Sequence, residues 1–360
     1  MPSRRLALAV LVLAATIVRA QPAPGDERQR LAAIVQPMID AGQLRSAAVG
    51  LIDTTGRRVY GFGRLTAATG SPAPDGDTVY EIASVTKTFT ATLLAEMVER
   101  NEVALDDAVA KFLPSSVKLP ATDQPITLLT IATHHSGLPR MPSNFRPKDP
   151  ANPYADYTVD KLYAFLPGAQ VHPTATFEYS NVAYGLLGHA LSRRAKASYE
   201  DLVVSRIAKP LGMNDTRITL TPEMRNRLAP PFDDKLKPAH LWDFGGIPAG
   251  GAIRSTGNDM LKYLAAQLDL PVGTTVPDAL HRAIAATHAP RADAGANMRI
   301  GLAWHISRAG IHWHNGQTGG YHSFVAFDEK AKVGVVLLTN TASMDVDKPG
   351  NETLRMLLKR

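Results

Sequence analysis

The chain contains 360 residues, is 45% hydrophobic, carries a formal net charge of +6 at pH 7 and has no cysteine. The absence of cysteine excludes disulfide bonds, a thiol nucleophile and thiolate metal ligands. No dense Lys/Arg run or basic stripe interleaved with aromatic residues occurs in the sequence, so we expect no nucleic-acid partner. A chain of this size buries roughly three quarters of its surface on folding, which allows a large core without disulfides.

The first 20 residues have the pattern of a secretory signal peptide. Arg4 and Arg5 precede an apolar segment over 6–18, and Ala20 comes before the polar Gln21. This apolar segment is shorter than the ~20 residues that a membrane-spanning helix needs, which favours a cleaved signal over a retained anchor. We therefore predict cleavage after Ala20, a periplasmic or secreted protein, and no stable membrane anchor. Cleavage removes three arginines and no acidic residue, so the net charge falls from +6 to +3.

The mature N-terminal region is predicted to contain a helix, a hairpin and a second helix. The first helix covers 29–41, and two strands at 47–53 and 58–63 flank a short turn that contains glycine. Apolar residues recur at helical spacing over 84–100, which predicts the second helix.

Short helical patterns and proline-rich loops then alternate up to about residue 240. Strand patterns follow at 301–307, 311–314, 322–327 and 333–340, and a helix over 351–360 ends the chain. Strands at both ends predict an α/β (α+β) fold with one mainly antiparallel sheet, flanked by helices and interrupted by a helical insertion. We expect the domain boundaries at 21–83 plus about 241–360 for the α/β domain and 84–240 for the helical domain, with the catalytic cleft between them.

Ser84 and Lys87 form the first candidate catalytic pair. The two residues lie three apart at a predicted helix start, so their side chains project from one face within hydrogen-bonding reach. A desolvated lysine amine accepts the serine proton during nucleophilic attack, and the helix start offers the Ser84 N–H to an oxyanion. The pattern is weak alone, because Ser115 and Lys118 have the same spacing but are followed by proline; we interpret that copy as a solvated loop.

Tyr179 and Asn181 are the second candidate element, just before an apolar stretch. A phenol beside a cationic lysine can have a lowered pKa and exchange protons with the serine or leaving group. Asn181 is expected to hold the lysine amine and a substrate amide. The alternative is an ordinary helix start in which Ser180 or Asn181 is the N-cap and Tyr179 only packs.

His314, Gly316 and Gln317 are the third element, at the end of a predicted strand. A strand edge with small residues lets a substrate lie alongside, and the Gln317 N–H is a candidate second oxyanion donor. The alternative is a glycine-rich hairpin loop. Metal binding by His312 and His314, or by His134 and its neighbour, lacks a third ligand at suitable spacing, so we expect no metal and no cofactor.

The order of these three elements resembles the class C β-lactamase family, which includes penicillin-recognising D-alanyl-D-alanine carboxypeptidases, D-aminopeptidases and related esterases. Similar stretches occur at 135–139, 210–213 and 250–256. The resemblance implies a β-lactamase/transpeptidase-like fold and an acyl-enzyme on Ser84 that water hydrolyses. It also implies shared general-base and general-acid duty for Lys87 and Tyr179, with the order of proton transfer left open.

The third element departs from the family's usual Lys-Thr-Gly, because His314 replaces the lysine. An imidazole with a pKa near 6.5 is expected to be only partly cationic at neutral pH, which puts efficient β-lactam turnover in doubt. The substrates expected are therefore β-lactams or D-alanyl peptides derived from peptidoglycan, with small esters or D-amino acid amides as an alternative. A non-catalytic module that binds penicillin or wall fragments is a third hypothesis, and we expect a monomer.

Overall fold

The computed structural model describes residues 24–173, 176–343 and 345–359. The predicted signal peptide and its cleavage site lie outside the described residues. No helix among these residues is long and apolar enough to cross a bilayer.

Within this part of the chain, one large antiparallel sheet and one small sheet are formed. The strands are β1 Ser46–Asp53, β2 Gly56–Gly63, β3 Val79–Glu81, β4 Arg254–Thr256, β5 Ala292–Asp293, β6 Met298–Ile300, β7 His305–Ser307, β8 His312–Gln317, β9 His322–Asp328 and β10 Val333–Thr339. The large sheet has the order β2-β1-β10-β9-β8-β7-β6-β5, and β3 pairs with β4 in the small one. Because β1 lies beside β10, the sheet joins the two ends of the chain.

The helices are α1 Pro24–Asp40, α2 Thr86–Glu99, α3 Leu128–Ala132, α4 Val159–Phe165, α5 Asn181–Ala195, α6 Tyr199–Val203, α7 Pro222–Asn226, α8 Gly257–Gln267, α9 Asp278–His288 and α10 Asp347–Leu358. A short 3-10 turn, Ala83–Val85, precedes α2, and another, Pro248–Gly250, precedes β4. A π-helical turn at Val204–Ala208 follows α6.

The two faces of the sheet pack against different sets of helices. Along β10, Val336 and Leu338 point into a large core that includes side chains of α2, α5, α8 and α9. Val335 and Leu337 point to the other face, into a smaller core with side chains of α1 and α10. This alternation follows from the two-residue period of a strand, and it explains why β10 is apolar throughout.

The predicted fold class is confirmed, with differences in particular elements. The strand predicted over 301–307 begins only at His305, because Ala303 adopts a left-handed φ of 66° in the turn after β6, a strand that the sequence pattern missed. The strand predicted to end at His314 continues to Gln317, so the hairpin-loop alternative for this segment is wrong. The last helix begins at Asp347, four residues before the predicted start. The division at residues 83 and 240 stays a prediction.

Candidate active site

Ser84 lies on the 3-10 turn that leads into α2, and its side chain is partly exposed. The preceding residue, Ala83, has a φ of 46°, a conformation that costs free energy for any residue other than glycine. Tertiary contacts hold this turn in place, because the Ile82 carbonyl accepts hydrogen bonds from Val85 N–H and from the buried Ser323 hydroxyl, at 3.1 and 2.8 Å. The fold therefore presents Ser84 on a constrained turn.

Lys87 lies one turn further on, and its side chain is completely buried. Its Nζ is 3.0 Å from Ser84 Oγ, 2.9 Å from Asn181 Oδ1 and 2.6 Å from the Gly250 carbonyl oxygen. Burial, assisted by the positive charge of Arg140, holds the pKa of the Lys87 amine well below its usual value. The lowered pKa favours the uncharged amine, a form that can accept a proton from a neighbouring hydroxyl.

The phenol of Tyr179 faces the same serine. Burial raises the pKa of Tyr179 to about 12, against the opposing effects of a hydrogen bond with Ser84 and the charge of Arg140. Lys87 Nζ is 4.9 Å from the centre of the Tyr179 ring. The suggestion that a cationic lysine lowers this pKa is therefore wrong, because the lysine is itself desolvated and favours its neutral form. The Tyr179 phenol therefore favours its protonated form at neutral pH.

Asn181 is held by the start of α5. The Ser180 hydroxyl accepts a hydrogen bond from Ala183 N–H at 3.0 Å and donates one to the Pro139 carbonyl at 2.6 Å. Ser180 is thus the N-cap, as predicted by the alternative interpretation of this segment as an ordinary helix start. The cap fixes the first helical residue in place. From that position Asn181 Oδ1 accepts a hydrogen bond from Lys87 Nζ. The start of α5 therefore contains both a helix cap and a member of the site.

Strand β8 passes directly beside the Ser84 turn. A methyl group added at Gly316 would lie 2.5 Å from the Ile82 carbonyl oxygen and 2.6 Å from the Ser84 nitrogen, so only glycine permits this approach. β7 pairs with β8 only at His312 and Trp313, and among the described residues no strand covers that edge beyond them. Gln317 ends the strand, and its side-chain amide donates to the Ala342 carbonyl at 3.0 Å.

His314 favours its uncharged form. Its side chain is completely buried, and burial, with smaller effects from His305 and Lys87, holds the pKa of the imidazole well below its usual value. Nδ1 donates to the Asn315 carbonyl at 2.6 Å, which leaves Nε2 as an unprotonated acceptor, buried and without a hydrogen-bond partner in the described structure. The expectation of a partly cationic His314 is therefore wrong, because it started from a solvated imidazole.

Three further residues lie in the site, and the sequence patterns assigned them no role of this kind. His134 accepts from Ser180 N–H at 3.1 Å, and its ring packs 4.4 Å from the Tyr179 ring. The Gly250 carbonyl binds Lys87, and Arg140 lies over Tyr179. The small-residue stretch at 250–256 was the signal for Gly250; nothing in the sequence distinguished Arg140 from other loop arginines.

The remaining sequence candidates lie elsewhere or form no site. Ser115 and Lys118 are exposed in a loop, as predicted. His312 Nε2 contacts the His288 carbonyl at 3.2 Å, away from Ser84. No group of three or more His, Asp or Glu side chains among the described residues is arranged to hold a metal ion.

The family model described as beta-lactamase matches residues 31–359. The chain belongs to the beta-lactamase family. One family relative, the D-alanyl-D-alanine-carboxypeptidase/endopeptidase AmpH of Escherichia coli K12, is 27% identical over 297 residues, which are 75% of this chain and 73% of that protein. A human relative, putative beta-lactamase-like 1, is 30% identical over 84% of this chain and 62% of its own length.

Solved structures of the beta-lactamase family share the fold. A beta-lactamase/D-alanine carboxypeptidase from Yersinia pestis, complexed with citrate, matches with a TM-score of 0.76 and 26% identity over 92% of this chain and 98% of that one. A beta-lactamase from Sulfitobacter sp. EE-36 matches with a TM-score of 0.82 and 22% identity, over 94% and 99% of the two chains. The predicted resemblance is therefore confirmed for family and fold, and the chain belongs to a group of serine hydrolases.

Proposed function

We propose that the protein is a hydrolase that forms an acyl-enzyme on Ser84 and cleaves β-lactam or D-alanyl amide bonds. The observation that carries this proposal is the 3.0 Å contact between Ser84 Oγ and the amine of buried Lys87, whose pKa is lowered. A neutral amine at hydrogen-bonding distance is what a serine hydroxyl needs to become a nucleophile. The predicted assignment of Ser84, Lys87 and Tyr179 as the catalytic residues rests on this geometry.

We propose an order of proton transfer that agrees with the lowered pKa of Lys87 and the raised pKa of Tyr179. Lys87 Nζ takes the Ser84 proton as Oγ bonds to the substrate carbonyl carbon. When the tetrahedral intermediate collapses, the C–N bond breaks and the leaving nitrogen takes the proton of the Tyr179 hydroxyl. The Lys87 ammonium then returns a proton to the phenolate. Water attacks the acyl-enzyme ester, and as the Tyr179 oxygen takes the water proton it passes its own to Lys87 Nζ. The ester C–O bond then breaks, and the Lys87 ammonium returns the proton to Ser84 Oγ.

Backbone N–H groups are proposed to stabilise the oxyanion. Gly316 brings β8 against the Ser84 nitrogen. For this reason we take the N–H groups of Ser84 and Gln317 as the two oxyanion donors. Such preorganised donors typically contribute about 10²-fold to 10³-fold in rate each. The free edge of β8 accommodates an extended substrate, and the Asn181 amide is proposed to orient it.

Intact-protein mass spectrometry after incubation with benzylpenicillin tests the acyl-enzyme. We expect a mass increase equal to one penicillin that decays with time, is absent in Ser84→Ala and is retained in the matched control Ser115→Ala. A stable adduct without decay supports the binding-module hypothesis instead. If the wild-type protein forms no adduct, the proposal that it cleaves β-lactams is contradicted.

A second candidate keeps the same machinery but hydrolyses small esters or D-amino acid amides. The observation that favours it is that burial lowers the pKa of His314, so the imidazole favours its uncharged form at the position where the family's β-lactamases usually carry a lysine. Turnover of a p-nitrophenyl ester or a D-alanine anilide that requires Ser84, with no turnover of a cephalosporin, supports this candidate. Equal or faster cephalosporin turnover contradicts it.

The predictions on location and partners stay proposals. Export with cleavage after Ala20 would bring the enzyme to peptidoglycan-derived substrates. The N-terminal residue of protein recovered from a bacterial expression host tests this directly, with Gln21 as the expected first residue.

A further inference from the structure

Arg140 is a cation at the active site to which the proposed mechanism gives no role. Its guanidinium carbon lies 5.0 Å from the centre of the Tyr179 ring, and its side chain is exposed. Among the described residues, no acceptor takes a hydrogen bond or an ion pair from this guanidinium. A permanently charged group held beside a catalytic phenol with its donors unused is available to a ligand.

The backbone around Arg140 is fixed to the catalytic residues. The Arg140 carbonyl accepts from Asn181 N–H at 3.0 Å, and the preceding Pro139 carbonyl accepts from the Ser180 hydroxyl at 2.6 Å. Prolines at 139 and 142 restrict the chain on both sides. The position of Arg140 is therefore set by the same helix start that positions Asn181.

The other basic groups of the site favour their neutral forms. Burial lowers the pKa values of both Lys87 and His314, and it lowers the pKa of neighbouring His305 to about 4. The arginine side chain keeps its charge at every pH at which a protein is folded. The positive charge that an anionic substrate meets at Tyr179 is thus that of Arg140.

We propose that Arg140 binds a carboxylate on the leaving-group side of the scissile bond and so selects substrates that end in a free D-amino acid. This inference rests on the proposed function, in which Tyr179 protonates the leaving nitrogen. In a C-terminal amino acid, a single carbon separates the leaving nitrogen from the carboxylate. When that nitrogen lies at the Tyr179 hydroxyl, the carboxylate therefore lies near a guanidinium that packs against the Tyr179 ring. The two parallel N–H donors of a guanidinium match the two oxygens of a carboxylate.

The test measures binding, so that it does not depend on turnover. The ligands are N-acetyl-D-alanyl-D-alanine and its C-terminal amide, titrated into Ser84→Ala protein by calorimetry. We expect the acid to bind about tenfold more tightly than the amide, and Arg140→Gln to remove this preference while leaving the amide affinity unchanged. Arg140→Lys should keep part of the preference for the acid, because lysine keeps the positive charge but lacks the two parallel N–H donors.

Arg146→Gln is the matched control. Arg146 lies in the same loop and is exposed, and its guanidinium donates only to the nearby carbonyls of Ser143 and Phe145. Arg146→Gln should therefore keep the preference for the acid. The proposal is overturned if the acid and the amide bind equally to Ser84→Ala protein that keeps Arg140, or if neither ligand binds to it. It is also overturned if the preference for the acid survives in Arg140→Gln. Failure of the proposed function would instead appear as a wild-type protein without Ser84 acylation.

Discussion

At the scale of single residues, we expect the uncharged amine of Lys87 to determine the pH dependence of acylation. Lys87 must lose its proton before it accepts one from Ser84, so kcat/KM should rise with pH through the lowered pKa of Lys87. Asn181→Asp places a carboxylate 2.9 Å from the amine, where it favours the charged form. We expect this variant to move the acidic limb of the kcat/KM profile to higher pH by about one unit or more.

Gln43→Glu provides the control for this shift. Gln43 is exposed in the loop after α1, so the substitution adds the same charge away from Lys87. Its pH profile should overlay that of the wild type. An unchanged limb in Asn181→Asp would contradict Lys87 as the titrating base.

The loss of kcat/KM caused by removing the Tyr179 hydroxyl should be larger for substrates whose leaving group needs a proton. Because burial raises the pKa of Tyr179 to about 12, its hydroxyl is protonated when the C–N bond breaks. For a D-alanine anilide we expect Tyr179→Phe to lower kcat/KM by about 10²-fold to 10⁴-fold. For a p-nitrophenyl ester, whose phenolate leaves without a proton, we expect a smaller loss. Equal losses on the two substrates would contradict the role of proton donor.

At the scale of elements, the contact between β8 and the Ser84 turn limits what Gly316 tolerates. A Cβ at this position meets the Ile82 carbonyl and the Ser84 nitrogen, which are both backbone atoms that cannot rotate away. Gly316→Ala must therefore separate the strand from the turn. Since a displacement of about 1 Å can cost roughly 10²-fold in rate, we expect a loss of that order in the acylation rate constant, measured by stopped flow.

Gly168→Ala separates this steric effect from a general effect of alanine substitution. A Cβ at Gly168 has no atom within 4 Å, and the residue needs no left-handed φ. This variant should acylate at the wild-type rate. If Gly316→Ala also acylated at that rate, the strand would not form the wall of the oxyanion site.

The same elements show what the sequence could predict. The β1–β2 hairpin and α2 were evident because period-2 and helical patterns are local properties. The extension of β8 through Asn315 and Gly316 was missed because neither residue type favours strands; pairing with Phe324 and Ser323 of β9 overrides that preference. Strand propensity therefore underestimated the element that carries the third motif.

Four members of the candidate site could be predicted from the sequence, but the charges of the site could not. Ser84, Lys87, Tyr179 and Asn181 were identified from order and spacing, and the structure brings them together. The neutral state of His314 depends on burial and on His305 beside it, which spacing does not reveal.

At the scale of the whole molecule, the sheet separates the core beside the candidate site from a second core on its opposite face. Ser84 and Lys87 lie on the side of α2 and α5, while Leu31 of α1 packs with Phe324 and Leu354 on the opposite face. Leu31 is completely buried, and deletion of a buried leucine side chain typically costs 2–5 kcal/mol. Leu31→Ala should therefore lower the free energy of unfolding by about that amount.

The chemistry should nevertheless be unaffected in the molecules that remain folded. We expect Leu31→Ala to acylate with a rate constant within about twofold of the wild type at 25 °C, because packed contacts couple distant sites weakly unless they share partners. Leu358→Ala, which truncates a side chain that is 39% exposed on α10, is the matched control and should change the free energy of unfolding by a much smaller amount. Urea unfolding and stopped-flow acylation measure the two quantities separately. A parallel loss of both in Leu31→Ala would show that the outer core positions Ser84 through the sheet.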